Sequence, residues 1–230
     1  MKKCTFILLL AAVVLASCEQ DVVPLPTTKE YFTVSSTKRV RFAKGNLQHH
    51  PDTDRWRMAG AQYDHLTNPL ADPEPGWVDL FVWQPEEWSY GQWRALTADE
   101  WRYLLDFRTA APKKRGLATI GDIQGLVLLP DGWQTPAGVA FLSGATDFVT
   151  NSFTFDQWTL METAGAIFLP AAGNERDGQV SGQGLAGYYW SSSPYDNLGA
   201  WNIAFHEAGI GTVYGHNRAH GYSIRLVQDE

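Results

Sequence analysis

Apolar and polar residues alternate with period two along many short stretches of this chain, and take helical spacing in only two. "YFTVSS" and "KRVRFAKGNLQ", the latter with Val40 and Phe42 as its apolar positions, predict strands at the start of the fold, and "HPDTD" turns the chain into a further strand, "RWRMA". In "LTADEWRYLLDF" Thr97 precedes Glu100 by three residues, the spacing of a capping box, and Trp101, Leu104 and Leu105 then share one helical face. "FTFDQWTLMETAG" repeats the device with Thr154 and Gln157, buries Trp158 and Met161, and stops at Gly165. Between the helices lie "RGLATIGDIQGLVLLPDGW" and "AGVAFLSGATDF", short apolar runs broken by Gly, Pro and Asp. After the second helix, "AIFLPAAG", "GYYWSSSP", "AWNIAF", "GTVYG" and "YSIRLV" predict more short strands, the last over Tyr222–Val227. Two helices among many short strands and long irregular loops define an α+β fold. No internal repeat interrupts this pattern.

The first residues follow a different pattern. Lys2 and Lys3 precede "FILLLAAVVLA", an apolar run too short to span a bilayer, and the run ends at "LASC", Leu15 to Cys18. This segment resembles the leader and lipobox of bacterial lipoproteins. The resemblance implies that residues 1–17 are a signal peptide, that Cys18 is lipidated, and that the mature chain sits in the cell envelope, on an outer membrane and exposed at the surface. Each buried CH₂ of an acyl chain adds about 0.8 kcal/mol of anchoring. Residues 19–30, "EQDVVPLPTTKE", are polar, aperiodic and Pro-containing, and read as a tether. Residues 31–230 are then the domain, long enough to bury one substantial core.

Cysteine and charge narrow the chemistry. The only other cysteine is Cys4, inside the leader, so the mature domain has no disulfide, thiol nucleophile or thiolate ligand. Removal of Lys2 and Lys3 leaves 16 basic against 25 acidic residues, a balance near −9. No basic cluster is expected along the sequence, which argues against a nucleic-acid or anionic-lipid surface. The lipid, not surface charge, is expected to hold the protein to its membrane.

The order of elements resembles the C-type lectin fold, in the branch shared with formylglycine-generating-enzyme-like domains. "WRALTADEWRYLL", "FLPAAG", "GYYWSSSP" and "RAHGYSIRLV" carry that resemblance, which spans residues 31–227. "KGNLQ", "W-x-x-L-T-x-x-E-W" and "YYWSSSP" in this order resemble a set of lipoproteins on that fold. The fold does not bring its chemistries with it. The formylglycine-generating enzymes bind copper through a cysteine pair that this mature chain lacks. The calcium-dependent lectins use Glu-Pro-Asn or Gln-Pro-Asp with a later Trp-Asn-Asp. Here "QPE" at Gln84–Glu86 precedes the first helix and "WNI" at Trp201–Ile203 lacks the final acid, too few oxygens for calcium. No cofactor or metal is expected.

The tail from Tyr195 to His220 divides into two kinds of position. Trp201, Ile203, Phe205, Ile210, Arg218 and Gly221 are stiff or structurally demanding. Tyr195, Asp196, Asn197, Asn202, Ala204, His206, Ala208, Gly209, Gly211, Val213, Tyr214, Gly215, His216, Asn217, Ala219 and His220 are small, polar or chemically miscellaneous. Along "WNIAFH" the two kinds alternate, which predicts a buried face of Trp201, Ile203 and Phe205 and an exposed face of Asn202, Ala204 and His206. The second set resembles the variable positions of proteins diversified by bacterial and phage retroelements, in which Asn codons scatter at their adenines. Every residue of that set is reachable from an Asn codon, whereas Glu207 is not. The resemblance implies a variable ligand-binding region over about residues 187–227, with Ile224 and Leu226 closing the core behind it. Tyr and His would supply contact area and Gly and Asn adaptable fit.

Other constellations are weaker. His216 and His220 stand four apart, but Gly215 and Asn217 argue against a helix there and so against a chelating pair. Glu86 with Glu87 and Asp99 with Glu100 are adjacent pairs that do not face each other, and Glu100 has a capping role, so no catalytic residue is assigned. Trp77, Trp83, Trp88 and Trp93 read as anchors of a loop region, with a glycan platform as the alternative. The expectation is non-catalytic recognition of a protein or glycan ligand through Tyr195–His220. The alternative is a fixed adhesin or envelope component on the same scaffold.

Overall fold

The computed structural model describes residues 28–67, 75–84 and 89–230. Cys18 with the expected leader, most of the expected tether, and Pro85, Glu86, Glu87 and Trp88 lie outside the described residues. The described chain forms two short α-helices among many strands paired mostly antiparallel, an α+β arrangement. Helix α1 (Ala98–Arg102) continues into a π-helical turn at Tyr103–Phe107, and helix α2 spans Phe155–Thr163. Both begin with the expected reciprocal caps. The Thr97 hydroxyl accepts the Glu100 N–H at 3.2 Å while the Glu100 carboxylate accepts the Thr97 N–H at 2.9 Å. Thr154 and Gln157 do the same at 3.2 and 3.0 Å. Gly165 follows α2 at φ +96°, a left-handed position that favours glycine. Trp101, Leu104 and Leu105 are buried together, as their shared face predicts.

The two ends of the domain close on each other. A five-stranded sheet runs in the order Phe32–Thr33, Arg39–Phe42, Leu226–Asp229, Trp93–Ala95, Ser89–Tyr90, with Val227 opposite Phe42. Thr28 is buried beside it; its N–H donates to the Phe42 carbonyl at 2.8 Å and its hydroxyl accepts the Phe42 N–H at 3.2 Å. Residues 28–30 therefore belong to the domain and not to the tether. A second sheet orders Ile167–Pro170, Ile123–Leu128, Arg115–Ile120 and Ser152–Phe153, the last pair parallel.

The predicted strand over Tyr222–Val227 is shorter than expected. Only Leu226–Asp229 belongs to a sheet, while Tyr222 bridges Phe81 and Ser223 bridges Tyr189. This segment changes partners at nearly every residue, because it threads between sheets instead of lying in one. Arg225 fixes the crossing. Its guanidinium is buried and donates to Asn46 Oδ1 at 2.9 and 3.0 Å and to the Phe168 carbonyl at 3.0 Å. Burial lowers its pKa to about 10, so it stays charged at neutral pH. Its hydrogen bonds go to neutral oxygens, which tie the last segment to the first strands and to Ile167–Pro170. Trp77, Trp83 and Trp93 are core residues, which removes them from a glycan platform.

Candidate ligand-binding surface

The tail forms a three-stranded antiparallel sheet: Ala186–Pro194, Gly199–His206 in the middle, and Gly209–Asn217 at the edge. Trp190 faces Asn202 across one pairing, and Asn202 faces Tyr214 across the other. Tyr189, Ile203 and Phe205 pack into the main core with Trp101, Leu104 and Leu105. Trp190 and Ala200 belong to a second apolar cluster with Phe81, Trp83, Tyr222 and Leu226. Both faces of the middle strand are thus covered.

This arrangement corrects the predicted alternation. Asn202, Ile203, Ala204 and Phe205 are all buried, Trp201 is half-buried, and only His206 is exposed. Asn202 and Ala204 therefore do not present themselves to a ligand. Asn202 Nδ2 donates to the Tyr214 carbonyl at 2.9 Å, while its Oδ1 is buried without a partner. Residues in a doubly covered strand lie inside whichever way they point, so period two no longer separates core from surface. At Gly187, a Cβ would run into the Phe205 ring, so close packing on this sheet demands glycine there.

The remaining candidates fall into three groups. The first surrounds the loop between the first two strands. Tyr195, Asp196, Asn197 and Leu198 are exposed, with Leu198 76% and Tyr195 54% accessible. The Tyr195 ring stands edge-on to Trp201, with centroids 4.6 Å apart, and lies over Gly215, whose Cβ would approach it to 2.7 Å. Asp196 shapes the loop, accepting the N–H groups of Leu198 and Gly199 at 2.8 and 2.6 Å. Arg218 clamps it, donating to the carbonyls of Asp196 (2.6 Å) and Gly199 (3.0 Å) while its guanidinium lies over the Trp83 ring at 4.3 Å. Arg218 is thus a scaffold residue, as its place among the stiff positions implied. Leu198 was not among the predicted site residues; an apolar side chain inside the polar turn "YDNLG" is the signal that would have found it.

The second group is the hairpin between the middle and edge strands. His206 and Ala208 are exposed, Gly209 and Gly211 half-exposed, and the Ala208 N–H donates to the Thr146 carbonyl at 3.2 Å. Ala208 holds φ +92°, a conformation that favours glycine. In the third group, His216 and His220 lie with ring centroids 6.4 Å apart beside exposed Tyr214. Their Nδ1 atoms sit 2.6 and 3.1 Å from one oxygen, the Tyr222 hydroxyl, and Tyr222 is itself stacked on Tyr188. Helical spacing does not bring these histidines together; a shared phenol does. Burial and the neighbouring His220 hold the His216 pKa below its ordinary value. A register shift opposite Asn202 and Ala204 places an extra residue in the edge strand, leaving Val213 half-exposed; Asn217 and Ala219 are exposed in the turn that follows.

Among the described residues no three His, Cys, Asp or Glu side chains converge as a metal site. Glu100 is paired with Arg94 at 2.7 Å as well as capping α1, and Asp99 is paired with Arg102 at 2.7 Å. The surface can therefore bind by shape, ring contact and neutral hydrogen bonds. Compared with known families, the chain is similar over residues 155–227 to one described as a domain of unknown function (DUF8237), a stretch that contains α2 and every candidate binding position. No curated protein and no solved structure matches it.

Proposed function

We propose that this chain is a lipid-anchored, non-catalytic recognition protein of the cell envelope, built on a C-type-lectin-like domain, with its ligand-binding surface in the carboxyl-terminal sheet. The observation that carries the reading is the division of that sheet. A doubly buried middle strand supplies rigidity, and the loop at Tyr195–Leu198 together with the edge strand exposes Tyr195, Leu198 and Tyr214 side by side with small polar residues. Exposed aromatic and apolar side chains on a rigid base, interspersed with Gly, Asn and His, suit recognition of a protein or glycan. The pairing of the first and last strands and the two capped helices support the C-type-lectin-like reading.

Diversification by a retroelement is the second part of the proposal. Ala208 supports it, since a residue chosen for its turn at φ +92° would be glycine. The test is to sequence the coding DNA for Gly187–Glu230 in many cells and to search nearby for a near-copy beside a reverse transcriptase. Differences at Tyr195, Asn197, Tyr214, Asn217 and Ala219, opposite adenines in the copy, are the expected result. At Asn202 and Ala204 burial restricts the tolerated residues to small ones. An invariant segment with no copy would overturn diversification and leave a fixed adhesin or envelope component.

A further inference from the structure

The expectation of no basic cluster, and so of no anionic-lipid surface, fails at residues 28–44, which are rich in cations and bring three of them to one cleft. Lys29, Arg41 and Lys44 line a single cleft of about 390 Å³ together with Thr28, Gln62 and Glu162. Residues 28–44 contribute five cations against one acid, net +4, in a chain whose formal charge is −7. Cations elsewhere have found carboxylates: Arg39 pairs with Glu230, Arg94 with Glu100 and Asp229, and Arg115 with Asp106. Among the described residues, none of the three in the cleft is ion-paired. Arg41 is held in place from one side only. Its guanidinium lies over the Tyr31 ring at 4.2 Å and donates to the Tyr31 hydroxyl, while its Nε is buried with no acceptor. A buried N–H without an acceptor is costly, so the Arg41 guanidinium is not fully satisfied within the protein. The opposite wall carries Glu162, whose carboxylate accepts from Gln62 Nε2 at 3.0 Å, so the cleft keeps a net charge of +2.

We propose that this cleft binds the phosphate of an anionic lipid in the membrane to which the chain is tethered. A planar guanidinium flanked by two ammonium groups suits a phosphate, whose oxygens accept from both. The choice of a lipid follows from position and rests on the reading of Cys18 as the anchor. Thr28 in the cleft wall stands ten positions after Cys18, and an extended chain of that length reaches at most about 35 Å. Headgroups are therefore always within reach of Lys29, and binding them would turn the carboxyl-terminal surface into a fixed orientation instead of leaving it on a free tether.

The test uses the full chain carrying Cys18→Ser, so that no lipid can be attached. Sedimentation with phosphatidylcholine vesicles gives the baseline, including any contribution of the apolar leader, and added phosphatidylglycerol gives the signal. Phosphatidylglycerol is expected to raise binding at least about tenfold, with the increment lost at high salt. The combined Lys29→Gln, Arg41→Gln and Lys44→Gln variant is expected to lose on the order of 100-fold in affinity for the anionic vesicles. Its thermal midpoint should fall by only a few degrees, since Lys29 and Lys44 are exposed and only Arg41 gives up contacts, those with Tyr31. Glu162→Gln should strengthen binding by roughly fivefold, because it raises the net charge of the cleft. Calorimetry with inorganic phosphate separates the sources. Phosphate binding without vesicle preference would overturn the lipid assignment, and loss of neither signal in the triple variant would overturn the site itself.

Discussion

The strands Gly199–His206 and Gly209–Asn217 are joined by a tight turn and mix the same kinds of residue, yet they occupy different physical situations. The first has neighbours on both edges and apolar clusters on both faces, so even Asn202 and Ala204 are inaccessible. The second has one paired edge and leaves Tyr214 and Asn217 exposed and His216 half-exposed. A strand at a sheet edge loses little when a side chain changes; a doubly covered one loses packing on whichever face is altered. Position in the sheet, more than residue type, decides where recognition can be varied.

The largest expected effect tests the buried strand directly. Phe205→Ala should cost about 3–5 kcal/mol in chemical denaturation, because it empties a fully buried ring site packed against Gly187. A loss below 1 kcal/mol would mean that the strand is not a core element. Next, Asn202→Tyr and Asn217→Tyr place the same side chain on the two strands. Overpacking at Asn202 should cost about 1–3 kcal/mol, whereas Asn217→Tyr, which gives up only the exposed bond from the Ala219 N–H at 2.9 Å, should stay within about 1 kcal/mol. Equal costs would erase the distinction between the strands. At the turn that joins them, Ala208→Gly should stabilise by about 1 kcal/mol by relieving the positive φ; a destabilisation would show that the alanine methyl makes a contact worth more than the strain.

The smallest effect concerns pH and the edge strand. The folded-state pKa of His216 lies below its ordinary value of 6.5. The unfolded chain therefore takes up the proton first, and the stability His216 contributes is present above about pH 6.5 and lost as pH falls further. Thermal midpoints measured from pH 7.5 downward should fall less steeply in His216→Asn than in the parent. Identical slopes would place His216 in free solvent.

Local devices were legible in the sequence. The capping boxes at Thr97 and Thr154, the stop at Gly165 and the apolar pairs of each helix depend on residues within a few positions of one another. The candidate surface was legible only in part. Tyr195, Asn197, Tyr214 and Asn217 lie outside as expected, whereas Leu198 was missed because an exposed apolar residue carries no periodic mark. Asn202 and Ala204 were misplaced because alternation assumes one wet face.

What the sequence by itself determined is therefore the α+β class, the helix ends and the small, polar character of the tail, all consequences of short-range spacing and side-chain type. Tertiary structure alone decided the rest. It covered both faces of Gly199–His206, brought His216 and His220 to one phenol of Tyr222, and gathered Lys29, Arg41 and Lys44 into a cleft with Gln62 and Glu162 from distant parts of the chain. Burial and charge proximity are properties of neighbours in space, and those neighbours are chosen only when the first and last strands meet.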